Sequence, residues 1–197
     1  MSTEERIDVL DENGNSLGYS EPRSVVHSKG LWHRVVHVWI VDSDGKLLIQ
    51  RRSNNKESFP GYWDNSSAGH IEAGQTSKDA AIRELNEELG ILHSVNDLEL
   101  LFTYNKQYVL RSGKYLDNEI ADVYLITYTF PFDLSKLTLQ VEEVSDVKLI
   151  PHHELLQMVV DLSPTFVPLF DSSKSSFEKS VYYQLFEILE KRYPTKQ

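Results

Sequence analysis

Three glutamates, Glu84, Glu87 and Glu88, lie at i, i+3 and i+4 spacing and follow the glycine-bearing run Gly69-His70-Ile71-Glu72-Ala73-Gly74-Gln75. Like charges at these spacings oppose a helix by about 0.2–0.5 kcal/mol per pair, so the set requires either open water or a cation. A bare E-x-x-E-E is satisfied by a solvated acidic face. The glycines favour a different reading: a flexible entry loop lets backbone approach a ligand, and the carboxylates supply the hard oxygens that Mg2+ takes while it also holds phosphate. The residue types therefore point to a metal site for diphosphate chemistry.

Such a site needs a helix behind it. Thr76 or Ser77 offers the hydroxyl cap, Asp79 completes a capping-box-like pattern when Thr76 is the cap, and Gly90 marks the stop. Ala81, Ile82, Leu85 and Leu89 fall on one arc of that helix, and the three glutamates on another roughly opposite. Upstream, Ile7 to Ser20 reads as a hairpin around Asn13-Gly14, and His33 to Val41 as a strand that turns at Asp42-Ser43-Asp44-Gly45 into a second, Lys46 to Arg52. Downstream, strands are expected at Leu98 to Tyr104, around Tyr108, at Ile120 to Phe130 and at Ser145 to Ile150. Helices are expected at His152 to Val160 and from Phe177 to Tyr193. Strands interleaved with few helices suggest a mixed sheet sandwiched by helices.

The 197 residues are 40% hydrophobic and 25% charged, which suits a single globular domain. A net charge of -10 disfavours nucleic acid and anionic membrane as partners. There is no cysteine, which removes disulfides, zinc-thiolate sites and thiol nucleophiles. The polar start and the lack of a long apolar run lead to an expected cytoplasmic location.

The segment 69–91 resembles the Nudix box, G-x5-E-x7-R-E-U-x-E-E-x-G-U with U a bulky aliphatic residue. Gly69, Arg83, Glu84, Leu85, Glu87, Glu88, Gly90 and Ile91 all match, and Gln75 departs where the pattern has Glu. The resemblance implies an α/β Nudix sandwich (α/β/α) with a mixed β-sheet over residues 1–197, with an N-terminal hairpin and a C-terminal helix around 177–193. It also implies a small-molecule diphosphate substrate and Mg2+ or Mn2+ as cofactor. Glu84, Glu87 and Glu88 would hold the metal and serve catalysis, with Glu84 or a loop carboxylate, Glu142 or Glu143, taking the proton. Arg51, Arg52 and Lys56 would clamp phosphate. Arg83 is expected to hold the box loop through Gln75 or a carbonyl. Trp32, Trp39 and Trp63 would contact an organic group or simply pack.

Residues 5–160 resemble more narrowly the isopentenyl-diphosphate isomerases and related plant Nudix hydrolases, through His27 to His33, Trp39, Leu48 to Arg52, Phe59 to Ser66, Gly69-His70 and Asp117-Asn118-Glu119. In the isomerases the positions matching His27, His33, His70, Asp117 and Glu119 build a second divalent metal site. His37, His93, His152 and His153 match nothing there. The isomerases place a cysteine directly before the Gly-His pair, where this chain has Ala68, and a methyl group cannot move a proton to or from carbon. The tryptophan that supports their cationic intermediate finds only Phe166. The isomerases also degrade the first two glutamates of R-E-U-x-E-E, which are retained here. The resemblance thus implies hydrolysis, with isopentenyl or dimethylallyl diphosphate favoured over nucleoside di- or triphosphates. Gln75 motivates a rival reading as a non-catalytic metabolite sensor.

Overall fold

A computed structural model of the protein describes residues 4–173 and 176–195. The chain opens with β1 (Arg6–Leu10) and β2 (Ser16–Pro22), an antiparallel hairpin. Helix α1 (Arg23–Lys29) follows, then β3 (His33–Val41), β4 (Lys46–Arg52), β5 (Trp63–Asp64), β6 (Ser67–His70) and α2 (Ser77–Leu89). The remainder is β7 (Glu99–Leu110), β8 (Tyr115–Thr127), β9 (Val144–Pro151), α3 (His152–Val160) and α4 (Tyr183–Arg192). Seven strands form one mixed sheet in the order β5-β4-β3-β8-β7, with β6 also on β3 and β9 on β4; β3 and β8 run parallel.

The sheet forks. One edge of β3 pairs with β4 at Ile40 and Val41 but with β6 at Val35 to Val38, so β4 and β6 diverge from a shared neighbour. Alternation along β3 assigns the two cores: Val36, Val38 and Ile40 pack with Ala81, Leu85 and Leu89 of α2, while Trp39 and Val41 pack with Leu155 of α3 and Leu185, Phe186 and Leu189 of α4. Each fully buried leucine contributes roughly 1.5–3 kcal/mol. The fold is an α/β sandwich with helices on both faces.

Several elements differ from the sequence expectation. Helix α1 was not foreseen; it is only 7 residues long and has no side-chain cap. The strands expected at Leu98 to Tyr104 and around Tyr108 are one 12-residue strand, held along its length by β8, which begins at Tyr115 and ends at Thr127. The helix expected from Phe177 to Tyr193 is broken. A single 3-10 turn at Phe177–Lys179 ends in extended Ser180, and α4 starts at Tyr183. The break lets buried Tyr182 receive the Trp39 Nε1 hydrogen at 2.9 Å beside His37 Nδ1 at 3.3 Å, a tertiary demand that local propensity does not carry.

Candidate active site

Helix α2 starts as its sequence requires, with Thr76 Oγ1 accepting from the Asp79 amide at 3.2 Å, and ends at Gly90 in the left-handed region (φ 69°). Its glutamates meet three different environments. Glu87 is half exposed. The Glu84 carboxyl lies against Gly69, where a Cβ would collide with it, so the box opens on glycine because any side chain would displace the carboxyl. Glu88 is not on an outer charged face as the helical arc suggested: it is 4% exposed and plugs the fork of the sheet. Its Oε2 accepts from Ser67 Oγ (2.6 Å) and the Ala68 amide (3.3 Å) on β6 and from Gln50 Nε2 (3.1 Å) on β4. Three donors on one oxygen leave the other oxygen for the cleft.

Burial, reinforced by the charge of Glu88, pushes the Glu84 carboxyl up to about 8 despite Arg83 Nη1 at 2.8 Å. Arg83 in turn donates to the His70 carbonyl at 2.9 Å and to Gln75 Oε1 at 3.4 Å, and Gln75 Oε1 also receives the Glu72 amide at 3.3 Å. Arg83 thus holds the box loop by both routes expected, and Gln75 is a partner within that brace.

The cleft has a volume of about 640 Å³ and runs from these carboxylates through the fork to the sheet face that carries Val35 and His37. Arg52 and Lys56 line it, and Arg51 does not. Strand alternation is the reason: Arg52 shares the face of Gln50 and reaches Asp64 Oδ2 at 3.0 Å, whereas Arg51 points outward to the Gly61 carbonyl at 3.0 Å. Arg52 is further bound to Ser58 Oγ and the Ser58 carbonyl, both at 3.0 Å. Lys56 forms an ion pair with Glu143, and Glu142 lies beside it in the cleft wall.

Farther along, α1 and the sheet bring together all five residues matched to the second metal site. His27 Nδ1 meets the Arg23 carbonyl at 2.9 Å and His33 Nδ1 the Leu31 carbonyl at 3.0 Å. A carbonyl only accepts, so both rings carry their hydrogen on Nδ1 and turn the Nε2 lone pair inward. His70 faces Glu5 through Nδ1 at 3.7 Å and places Nε2 3.3 Å from His27 Nε2, which is 3.4 Å from Asp117 Oδ1. His27, His33 and His70, and again His33, Asp117 and Glu119, offer ligand atoms within 4.8 Å of one another.

Burial lowers the His33 imidazole to about 4 and His70 well below its ordinary range, keeping both neutral as ligands must be. Burial and the charge of Asp117 raise Glu119 to about 7, against the pull of Lys106 at 2.7 Å. At Asp117 burial would raise the carboxyl, but the charge of Lys106 and the neighbouring imidazoles outweigh it and the carboxyl is lowered. The buried His33 Nε2 has no protein partner, and the donor set of imidazole nitrogens and carboxylates suits a divalent transition metal.

Sequence reasoning missed Arg23, Lys106, Gln50, Ser67 and Tyr104. Gln50 was open to inference, since alternation from Arg52 puts it on the same face; no local signal marks the others.

The chain matches the NUDIX domain family over residues 31–170 and belongs to it. Within that family its class is the Nudix hydrolases. It is 44% identical over 190 residues to Nudix hydrolase 3 of Arabidopsis thaliana, spanning 96% of this chain but 24% of the plant protein. An uncharacterised Nudix hydrolase of Listeria monocytogenes is 37% identical, covering 84% of this chain and 90% of its own length. The isopentenyl-diphosphate Delta-isomerase of Salmonella heidelberg is 31% identical over 73% of this chain and 76% of its own. The crystal structure of DR0079 from Deinococcus radiodurans matches in fold with a TM-score of 0.62 at 21% identity, covering 96% and 99% of the two chains. Among the described residues no helix is long and apolar enough to cross a membrane.

Proposed function

We propose that the protein is a Mg2+-dependent hydrolase of a diphosphate carried on a small organic group, with isopentenyl or dimethylallyl diphosphate the favoured substrate. The products would be the monophosphate and phosphate: water attacks the terminal phosphorus and the bridging P–O bond breaks toward the inner phosphate. The observation that carries this reading is a cleft that combines carboxylates gathered at the fork with apolar groups, Val35, Ala68, Val167 and Leu169, and has no titratable side chain at position 68. The isomerase alternative is disfavoured by that alanine.

Glu84, Glu87 and the free oxygen of Glu88 would hold the metal, which when bound neutralises phosphate charge and lowers the pKa of its water. Lys56 and Arg52 would receive phosphate oxygens, with Lys56 released from Glu143 as the anion enters. Glu84, which a bound metal would keep ionised, and Glu143 are the candidate proton acceptors. His27, His33, His70, Asp117 and Glu119 would hold a second divalent ion near the organic end. The engagement of Gln75 with Arg83 supports turnover over a silent sensor, since its missing charge is not one the cleft uses. The acidic, cysteine-free chain suits a cytoplasmic protein.

Incubation with Mg2+ and a panel of isoprenoid and nucleoside diphosphates, reading phosphate release and alkene isomer ratio, tests this. Phosphate release with an unchanged isomer ratio is expected. Isomer exchange without phosphate would overturn hydrolysis, and tight binding without turnover would favour the sensor.

A further inference from the structure

Beyond the cleft lies a second cavity of about 370 Å³, walled by Trp32, Tyr108, Phe170 and Val181 and, at its polar side, by Asn105, Gln107 and Ser180. The two cavities share three lining residues, Tyr104, Lys106 and Leu169. A side chain that lines both is the partition between them. We infer that Tyr104 and Leu169 form the end stop that limits the length of the organic group, and that the cavity behind them is space from which a longer prenyl chain is excluded. This inference rests on the prenyl diphosphate reading of the cleft and adds to it which chain lengths are taken.

The sheet register supplies the geometry. His70, Val35, Ala121 and Tyr104 are register partners across β6, β3, β8 and β7, and His33, Glu119 and Lys106 form the next row. A molecule anchored by its phosphates beside β6 and lying along these rows crosses three strand spacings, about 14 Å, before it meets β7. A diphosphate and a five-carbon chain fill that run, and a ten-carbon chain overruns it. At the end stands the Tyr104 ring, braced edge-on by Tyr182 at 5.2 Å and His37 at 6.0 Å. Lys106 is tied to Glu119. Leu169, 4% exposed, is the one member of the partition with neither a ring nor a charge, so shortening it opens the passage without breaking a polar contact.

The test compares dimethylallyl, geranyl and farnesyl diphosphates by kcat/KM for phosphate release, in the wild type, Leu169→Ala, and Leu169→Ala with Val181→Trp. The wild type should prefer the five-carbon substrate over the ten-carbon one by about tenfold or more, the worth of a few misplaced methylenes in an apolar pocket. Leu169→Ala should raise geranyl relative to dimethylallyl by about tenfold. Val181→Trp, which fills the second cavity, should return the ratio to the wild-type value. Leu169→Val, which keeps a branched side chain in the core, should move the ratio the same way by less and serves if the alanine variant does not fold. A wild type that cleaves geranyl as well as dimethylallyl diphosphate, or folded Leu169 variants with an unchanged ratio, would overturn the stop alone. A wild type that cleaves nucleoside but no prenyl diphosphates would overturn the substrate reading beneath it.

Discussion

The two oxygens of Glu88 meet different surroundings, and the division follows from which atoms reach them. Oε2 is committed to donors from both sides of the fork, so Ser67 and Gln50 decide where the other oxygen points. Ser67→Ala should weaken Mg2+ binding by about 10- to 100-fold, the usual cost of losing a group that orients a ligand. Calorimetric titration of the metal into the folded variant measures it, and unchanged affinity would make Ser67 a packing residue only. Gln75 is the opposite case. Its oxygen already serves Arg83 and the Glu72 amide, so Gln75→Glu should leave the Mg2+ requirement within about twofold while strengthening the Arg83 brace. A tenfold gain in metal affinity would instead place that side chain in the metal site. The box pattern identified both positions, but it could not tell a carboxylate plugging the sheet from one facing water, because that depends on strands remote in sequence.

At the scale of elements, alternation along β4 separates two adjacent arginines. Arg51 and Arg52 are equivalent as a charge pair in sequence, yet the strand sends one outward to Gly61 and the other inward to Asp64. Lys56, on the loop that follows, lines the cleft. Arg51→Ala should therefore leave KM within experimental error, whereas Lys56→Ala should raise it about tenfold, the scale of one charge-assisted hydrogen bond to phosphate; steady-state kinetics on the two variants decides. Helix α1 makes the same point from the other direction. Too short and uncapped to announce itself, it nonetheless delivers His27 to the histidine cluster, where the Arg23 carbonyl sets its tautomer.

For the whole molecule, the cleft buries carboxyl groups whose protonation is linked to folding, and this has a sign. Glu84 and Glu119 are protonated in the metal-free fold up to about 8 and about 7 but ionised in the unfolded chain above 4.5, so the folded state binds the extra protons and stability falls as pH rises through this range. His33, His37 and His70 act oppositely, since the unfolded chain takes their protons, and their effect fades as pH rises past 6.5. Asp117, lowered from 3.8, contributes only in more acid solution. From about pH 7 to about 8 the glutamates dominate: the urea midpoint of metal-free protein should fall across that window, and saturating Mg2+ should reverse the fall by stabilising the ionised carboxylates. A midpoint that rises would mean the carboxylates are already ionised at neutral pH.

The α2 helix, its cap and stop, β3, β4 and α3 were all determined by local rules, since capping, period and turn chemistry act over a few residues. So was the family, because the box concentrates its fixed residues on one helix and its entry loop. Tertiary structure alone decided that Glu88 is buried at the fork, that Arg51 is left outside, that the chain breaks before α4 to place Tyr182 beside Trp39, and that Tyr104 and Leu169 line both cavities. These depend on which strands become neighbours, and strand pairing joins residues far apart in the chain, where no local spacing records the contact.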